Sequence, residues 1–161
     1  QSKATEQIEA LSAALAPRTP DVVALPPYLA AAEFALRFRD RALAKAVAAP
    51  LAALEQQGLV FTLYWPSLLP RLNGGLAALL GDFATASEAL QRALATAERC
   101  GAALEHVLVQ VEMARLALLR RDRGEAHDHA NTAEHLCQAN GLGALRPRVQ
   151  SLFDELRTAA V

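Results

Sequence analysis

The chain has 161 residues, enough for one domain with its own core, and 53% of them are hydrophobic. This composition excludes a disordered chain, because it supplies enough apolar side chains to form a core. The formal net charge of −1 provides no electrostatic basis for binding nucleic acid or an anionic membrane surface.

The sequence carries no targeting signal that we recognise. No apolar run reaches the roughly 20 residues of a transmembrane helix, and no signal peptide is visible. Cys100 and Cys137 stand alone without metal-ligand spacing, which favours a reducing, cytoplasmic setting. The chain opens with Gln1 rather than Met, so we expect it to be a fragment of a longer protein.

Residue propensities predict an all-α protein, because alanine and leucine dominate and β-branched residues are sparse. Glycines, prolines and charged turn segments divide the chain into predicted helices. In chain order the helices cover 3–15, 27–38, 41–57, 66–80, 83–100, 102–121, 124–140 and 144–158. The first helix is either left from a preceding repeat or a cap, and a linker over 16–26 follows it.

The helix predicted over 66–80 has an unusual start. Pro66 fits the first turn, where its missing N–H costs nothing, and Pro70 lies at the edge of that turn. The preceding aromatic residues, expected to lie between adjacent hairpins, are Phe61, Tyr64 and Trp65. Gly74 is expected to allow close contact with the next helix. The pair Gly74-Gly75 is not a phosphate loop, because the GxxxxGK[ST] pattern is missing.

The helices that follow differ in amphipathicity. Helix 83–100 has one apolar face with a period of about 3.6 residues, formed by Ala86, Ala89, Leu90, Ala93, Leu94 and Ala97. Helix 102–121 has two apolar arcs, one of them with Leu104, Val107, Leu108, Val111, Ala114 and Leu118, the other with Val109, Met113 and Leu116. A helix that is apolar on two sides is expected to have neighbours on two sides. In helix 144–158 we expect Leu152, Phe153 and Leu156 to cover the previous hairpin and Asp154, Glu155 and Arg157 to face water.

The chain contains an internal repeat. A shift of 40 residues aligns Asp82 with Asp122 and Ala86 with Ala126, and a shift of 42 aligns Asp40 with Asp82. Small residues at matching positions allow the two helices of a hairpin to approach closely. One hairpin cannot bury its apolar faces alone, but stacked hairpins can.

These residues resemble a tetratricopeptide repeat. The segment GDFATASEALQRAL, 81–94, is similar to that repeat's turn and second helix, with Ala86 at the small position and Gly74 at the small position of the first helix. The resemblance implies an all-α, right-handed superhelical array of about seven or eight helices in antiparallel hairpins. It implies repeats near 27–58, 62–101 and 102–141, and a capping helix over 144–158.

Residues 27–156 also resemble the helical-repeat tail of large bacterial signalling proteins. The segments that carry this resemblance are AEFALRFRDRALA, LLGDFATASEALQRALATAERCGA, VLVQVEMARLALLRRD and HLCQANGLGALRPRVQSLF. In those proteins, which include class III adenylate/guanylate cyclase-like proteins and transcription regulators of the maltose-regulator type, an ATPase module precedes the tail. The resemblance implies signal transduction or transcription regulation in the bacterial cytoplasm, without ATPase or cyclase residues in this piece.

No residue pattern in the chain indicates catalysis or a metal site. His127, His129 and His135 include no pair at i,i+3 or i,i+4, so they are interpreted as solvated helix surface. Cys137 is interpreted as a small buried residue and Cys100 as exposed, and the carboxylates are placed mostly on outer faces. We therefore expect no enzyme activity, no metal and no cofactor.

The resemblance leaves one candidate surface, the concave groove lined by the first helix of each hairpin. By position its residues are Glu33, Arg37, Leu68, Arg71, Val111, Arg115 and Leu118. Arg71 and Arg115 have the geometry to hold a partner carboxylate through bidentate hydrogen bonds. The alternative is that Arg115 pairs with Glu112 at i,i+3 and that Arg71 is solvated.

Two functions follow from this interpretation. The favoured one is a non-catalytic interaction or regulatory module that binds a protein partner or other domains of its parent chain. The alternative is a sensor in which the groove holds a small effector. We expect no nucleic acid or membrane partner, and a homodimer through exposed repeat ends is possible.

Overall fold

The protein is described by a computed structural model over residues 25–61 and 67–158. Within these ranges seven α-helices follow one another without a β-strand, and each packs against the next. They are α1 (Leu25–Phe38), α2 (Arg41–Gln56), α3 (Leu69–Leu80), α4 (Phe83–Cys100), α5 (Ala103–Leu119), α6 (Arg123–Ala139) and α7 (Arg146–Thr158). The protein is thus an all-α array of antiparallel helix hairpins, as predicted. The predicted helix 3–15 lies outside the described residues, as do Tyr64, Trp65 and Pro66.

The helix limits agree with the prediction to within three residues. The largest difference is at α3, which begins at Leu69. Pro70 is therefore the second residue of the helix, where no intrahelical N–H bond is required. The N–H of Leu69 donates to the carbonyl of Val60 at 3.0 Å. Phe61 was predicted to lie between adjacent hairpins, but it is exposed.

The turns between helices share one geometry. Each contains a residue in the left-handed conformation, namely Arg39, Gly58, Gly81, Gly101, Arg121 and Gly141. The following N–H donates to the carbonyl five residues earlier, as in the bonds from Asp82 to Ala77 and from Asp122 to Ala117. This pattern satisfies carbonyls at the end of a helix and reverses the chain. The residues that precede α2, α4 and α6, the second helices of the three hairpins, therefore occupy equivalent positions.

The three aspartates aligned by the internal repeat perform the same structural task. Asp40, Asp82 and Asp122 are the N-caps of α2, α4 and α6. Each side chain accepts a hydrogen bond from the N–H three residues later, over 3.0 to 3.1 Å. Such a cap stabilises a helix by about 1 kcal/mol. The aspartates that the internal repeat aligns therefore mark the same structural position, the N-cap of the second helix, in each of the three hairpins.

The helices form two layers. The inner layer contains α1, α3, α5 and α7, each in contact with the next inner helix as well as with its chain neighbours. The outer layer contains α2, α4 and α6, whose backbones lie close only to those of their chain neighbours. The inner layer therefore brings together side chains that are far apart in the sequence.

Close packing between layers depends on small residues. A Cβ added at Gly74 of α3 would lie 2.7 Å from Cγ of Leu90 in α4, so only glycine fits without a shift of Leu90. Ala86, Ala93 and Ala97 of α4 are fully or almost fully buried. The predicted contact of Gly74 with the next helix is thus confirmed.

Helix α5 is enclosed on nearly all sides. Every residue from Glu105 to Ala117 is buried, except His106 and Met113, which are half-buried. Val107 and Val111 face the core shared with α6 and α7, and Val109 faces α4. The prediction of neighbours on two sides is confirmed, although Leu104, which was placed on an apolar arc, is exposed.

Helix α7 covers the last hairpin with Val149, Leu152 and Leu156, which are buried. Asp154 and Arg157 face solvent as predicted. None of the helices in residues 25–61 and 67–158 combines the length and the apolar character that crossing a membrane requires.

Candidate functional site

Charged side chains of the inner helices meet inside the array. Arg71 of α3 is fully buried and lies between Glu33 of α1 and Glu105 of α5. Its Nε donates to Oε2 of Glu105 at 2.8 Å, and its Nη2 donates to Oε1 of Glu105 at 3.1 Å and to Glu33. Burial of a guanidinium is compatible with a stable fold only when such partners compensate for its lost hydration.

Glu105 also fixes the start of α3. Its Oε2 accepts the backbone N–H of Leu68 at 3.0 Å, and Leu68 is the N-cap residue of α3 without a side-chain cap of its own. The carboxylate therefore satisfies one of the N–H groups that a helix start leaves unpaired. One side chain of α5 thus holds both the backbone and the arginine of α3.

A second group of charges extends from the first through Glu33. Arg148 of α7 lies 3.4 Å from Oε2 of Glu33 and 3.0 Å from Oε1 of Glu112. Arg115 lies 3.4 Å from Glu112 and 2.9 Å from Oε1 of Glu155. We refer to these residues as the inner ion-pair network, which comprises Glu33, Arg71, Glu105, Glu112, Arg115, Arg148 and Glu155.

The network shifts the pKa of several members. Burial alone would raise the pKa of Glu33, but the charges and hydrogen bonds of Arg71 and Arg148 outweigh it and hold that pKa below its ordinary value. Burial would lower the pKa of Arg71 and of Arg115, but their glutamate partners raise both. Burial and the charge of Arg115 lower the pKa of Arg39, which lies beside the network. The charged forms of Glu33, Arg71 and Arg115 are therefore the stable ones in the fold.

A small cavity opens at the end of the network, between the end of α1 and the start of α7. Its volume is about 180 Å³, and we refer to it as the Arg-lined cavity. The lining residues are Arg37, Phe38, Arg115, Pro147, Arg148 and Ser151. A second cavity of about 210 Å³ shares Arg37, Phe38 and Arg148 with it and adds Glu33 and Phe34. The two cavities therefore adjoin, and their shared wall is one feature of the inner layer.

Two aromatic rings stand exposed at this feature. Phe34 and Phe38, one turn apart on α1, are 39% and 59% exposed. Their ring centroids lie 5.5 Å apart, a favourable distance for two aromatic rings. We refer to them as the Phe34–Phe38 pair. Removing large apolar side chains from water lowers the free energy. A partner that covered the Phe34–Phe38 pair would therefore gain binding free energy from it.

The residues predicted to line a groove occupy different environments. Leu68, Arg71, Val111 and Arg115 are buried, and Glu33 and Leu118 are half-buried. Arg37 is exposed. The structure brings Glu33, Arg71 and Arg115 into one network, places Arg37 at its open end, and leaves Val111 and Leu118 in the core with α6 and α7. Their role in binding a partner stays a prediction.

The alternative interpretation of the two arginines, in which Arg115 pairs with Glu112 and Arg71 is solvated, is correct for Arg115 and wrong for Arg71. Arg115 does pair with Glu112 at i,i+3. A solvated Arg71 is wrong, because this side chain has no exposed surface. Carboxylates were predicted to lie mostly on outer faces, and Glu105 and Glu112, which are buried on α5, are exceptions. Periodicity within one helix does not detect a partner on another helix.

Sequence reasoning did not find Glu105, Arg148 and Glu155 as members of a site. One signal was available for the first of them. Helix α5 is apolar on two sides and yet carries Glu105, Glu112 and Arg115, and charges on an enclosed helix require partners inside the protein. No comparable signal marked Arg148 or Glu155, since α7 has an ordinary polar face.

The remaining candidate groups lie elsewhere. His127 and His135 are exposed as predicted, whereas His129 is half-buried and its Nδ1 lies 2.7 Å from Oε1 of Gln110. Cys137 is buried and Cys100 exposed, as predicted. Burial raises the pKa of the Cys137 thiol. No set of three metal-ligating side chains comes together in the part of the chain that the structure describes.

The likeness of this chain to known proteins was assessed in three ways. Comparison with protein families, with curated proteins and with solved structures finds no match in any of the three.

Proposed function

We propose that this array is a non-catalytic, protein-binding module, and that its binding surface is the Phe34–Phe38 pair together with Arg37 and the Arg-lined cavity. The observation that carries the proposal is the exposure of two neighbouring, mutually tilted aromatic rings beside arginines at the end of the inner layer. Aromatic residues and arginine are the side chains enriched at the centres of protein interfaces.

The inner ion-pair network supports this proposal by holding two of the arginines that line the cavity. Arg148 lines the cavity and is held by Glu33 and Glu112, and Arg115 is held by Glu112 and Glu155. A binding surface whose side chains are already positioned loses less conformational entropy when a partner arrives.

The regulatory setting of this module rests on the sequence resemblance. We propose that the array is of the tetratricopeptide type and belongs to a larger bacterial signalling protein or transcription regulator. Its partner would then be a separate protein or another domain of the same chain. The cytoplasmic location and the homodimer through exposed repeat ends stay predictions.

A selection from a random-peptide library on the purified protein tests the proposal. We expect the selected peptides to lose most of their affinity for the Phe34→Ser variant. Phe83→Ser is the matched control, because Phe83 is 37% exposed against 39% for Phe34 and stands at the start of α4. Failure to select any peptide, or equal loss in both variants, would count against the proposed function.

The alternative, a small-effector sensor, is favoured by a different observation. A cavity of about 360 Å³ lies between α6 and α7, lined in part by Glu134, Cys137, Arg146 and Phe153. This volume falls within the roughly 300–1,000 Å³ typical of small-molecule pockets. A metabolite screen by thermal shift tests it, and an effector at this cavity would lose its stabilising effect in Arg146→Ala and keep it in Arg37→Gln.

A further inference from the structure

Two of the arginines that line the Arg-lined cavity have a hydrogen-bond donor that the network leaves unused. Nε of Arg115 and Nε of Arg148 are buried and have no hydrogen-bond partner among residues 25–61 and 67–158. The side chain of Arg115 is only 6% exposed, and a donor buried to that degree normally has an acceptor. No carboxylate of the described residues lines this cavity, although three arginines and the hydroxyl-bearing Ser151 do.

The charges around the cavity do not balance. The network contains four glutamates and three arginines, and Arg37 and Arg39 lie beside it. The cavity wall itself carries three arginines and no carboxylate of the described residues. No carboxylate of the described residues lies within 4.0 Å of the Arg37 guanidinium, which is at the exposed end of the cavity. A negatively charged group is therefore the complement of this site.

The volume of the cavity restricts the occupant further. At about 180 Å³ it is larger than the ~30 Å³ of a water molecule and smaller than the ~300 Å³ at which whole-ligand pockets begin. It suits one functional group of a larger molecule. The adjoining cavity, with Phe34 and Phe38 in its wall, offers an apolar surface beside that group.

We propose that the Arg-lined cavity binds the carboxylate of an acidic side chain on a protein partner, and that a neighbouring apolar side chain of the partner packs on the Phe34–Phe38 pair. Arg37 supplies the complementary charge. The exposed guanidinium of Arg37 and the exposed hydroxyl of Ser151 donate to the carboxylate oxygens, and charge-assisted bonds such as that from Arg37 are the strong ones in recognition. This inference rests on the proposed function and names the chemistry of the partner.

The highest-affinity peptide from the selection described above is the probe, and its binding is measured by fluorescence anisotropy. We expect it to contain a glutamate or aspartate beside an apolar residue. Replacing that acid by its amide should weaken binding about tenfold, the effect of losing a hydrogen bond to a charged group. Arg37→Gln should weaken binding of the acidic peptide to the same extent, and it avoids disturbing the buried network.

Arg99→Gln is the control, because Arg99 is an exposed arginine in the last turn of α4. We expect it to bind both peptides as the unchanged protein does. A selected peptide without an acid, equal affinity for the acidic and amide peptides, or an unchanged affinity in Arg37→Gln would each overturn the proposal. Displacement of the peptide by acetate or inorganic phosphate at matching concentrations would also overturn it, since the site would then serve free anions.

The two proposals fail in different ways. If Phe34→Ser abolishes peptide binding while the amide peptide and Arg37→Gln have no effect, the binding module stands and the carboxylate site does not. If no variant of the Phe34–Phe38 pair affects binding, the proposed function itself is contradicted.

Discussion

Arg148 of α7 lies 3.4 Å from Glu33 of α1, and this ion pair joins residues that are 115 positions apart in the chain. Glu33 also binds Arg71 of α3, which binds Glu105 of α5. The charges therefore connect all four inner helices, including the first and the last, which do not pack against each other directly. Removing one member should affect the whole inner layer rather than one hairpin.

Arg71→Met should destabilise the protein by about 3–5 kcal/mol, because Glu33 and Glu105 would keep their charges without the buried cation between them. Urea unfolding of the variant and of the unchanged protein measures this difference. Adding Glu33→Gln and Glu105→Gln should recover much of the loss, since the glutamine at 105 still offers an oxygen to the N–H of Leu68.

Arg92→Met is the control for this prediction. Arg92 of α4 pairs with Glu55 of α2 at 3.0 Å, but its side chain is 56% exposed. An exposed ion pair contributes about 1 kcal/mol or less, so the change should be small. Equal losses in Arg71→Met and Arg92→Met would show that burial of the network adds nothing to stability.

Gly74→Ala should destabilise the protein by about 1–3 kcal/mol, because the new Cβ would press against Leu90. It would lie 2.7 Å from Cγ and 3.1 Å from the backbone N of Leu90, so side-chain movement alone does not relieve the contact. Thermal unfolding measures the loss.

The same substitution at Gly124 provides the contrast. Gly124 lies in the first turn of α6, and a Cβ added there would lie 3.6 Å from Oδ1 of Asp122, an ordinary distance. Gly124→Ala should stabilise the protein by about 0.5–1 kcal/mol through helix propensity. A stabilising Gly74→Ala would refute the close contact between α3 and α4.

Arg121→Gly should stabilise the protein by about 0.5–1 kcal/mol. Arg121 has a φ of 63°, a backbone conformation that is strained for a residue with a side chain and unstrained for glycine. Arg120→Gly should be neutral or destabilising, because Arg120 has a φ of −82°. Chemical unfolding of the two variants, which lose the same charge, tests the backbone effect. A gain for Arg120→Gly as large as for Arg121→Gly would point to charge instead.

The free energy of unfolding should decrease below about pH 6.5, the ordinary pKa of histidine, because of His129. Burial lowers the pKa of His129 in the fold, and Glu125 and Asp128 offset this only in part. The unfolded chain therefore binds a proton more readily than the folded one. The contribution of neutral His129 is complete above the unfolded pKa and is lost as the pH falls through the folded pKa.

Urea unfolding at several pH values measures this dependence. His129→Gln should flatten the profile between pH values around 5 and 7. His127→Gln, an exposed histidine on the same helix, should leave the profile unchanged. An identical profile for His129→Gln and the unchanged protein would exclude His129 as the titrating group.

The sequence predicted the hairpins because their signals are local. The limits of α4 followed from the breaks at Gly81-Asp82 and at Gly101, which act within a few residues of their own helix. Gly74 was predicted as a contact point because it falls at the small position of the repeat. The start of α3 was predicted too early, since both Pro66 and Pro70 fit a first turn and only the structure selects Pro70.

The sequence by itself determined the helices, their caps, the register of the repeats and the apolar faces, because each depends on residues within a few turns of one another. Only the tertiary structure decided that Glu33, Arg71 and Glu105 are partners and that Arg148 closes the network. These residues are separated by 34 to 115 positions, and a buried charge is stable only where another helix supplies its counter-charge. The same folding left Phe34, Phe38 and Arg37 at the surface, where a partner can reach them.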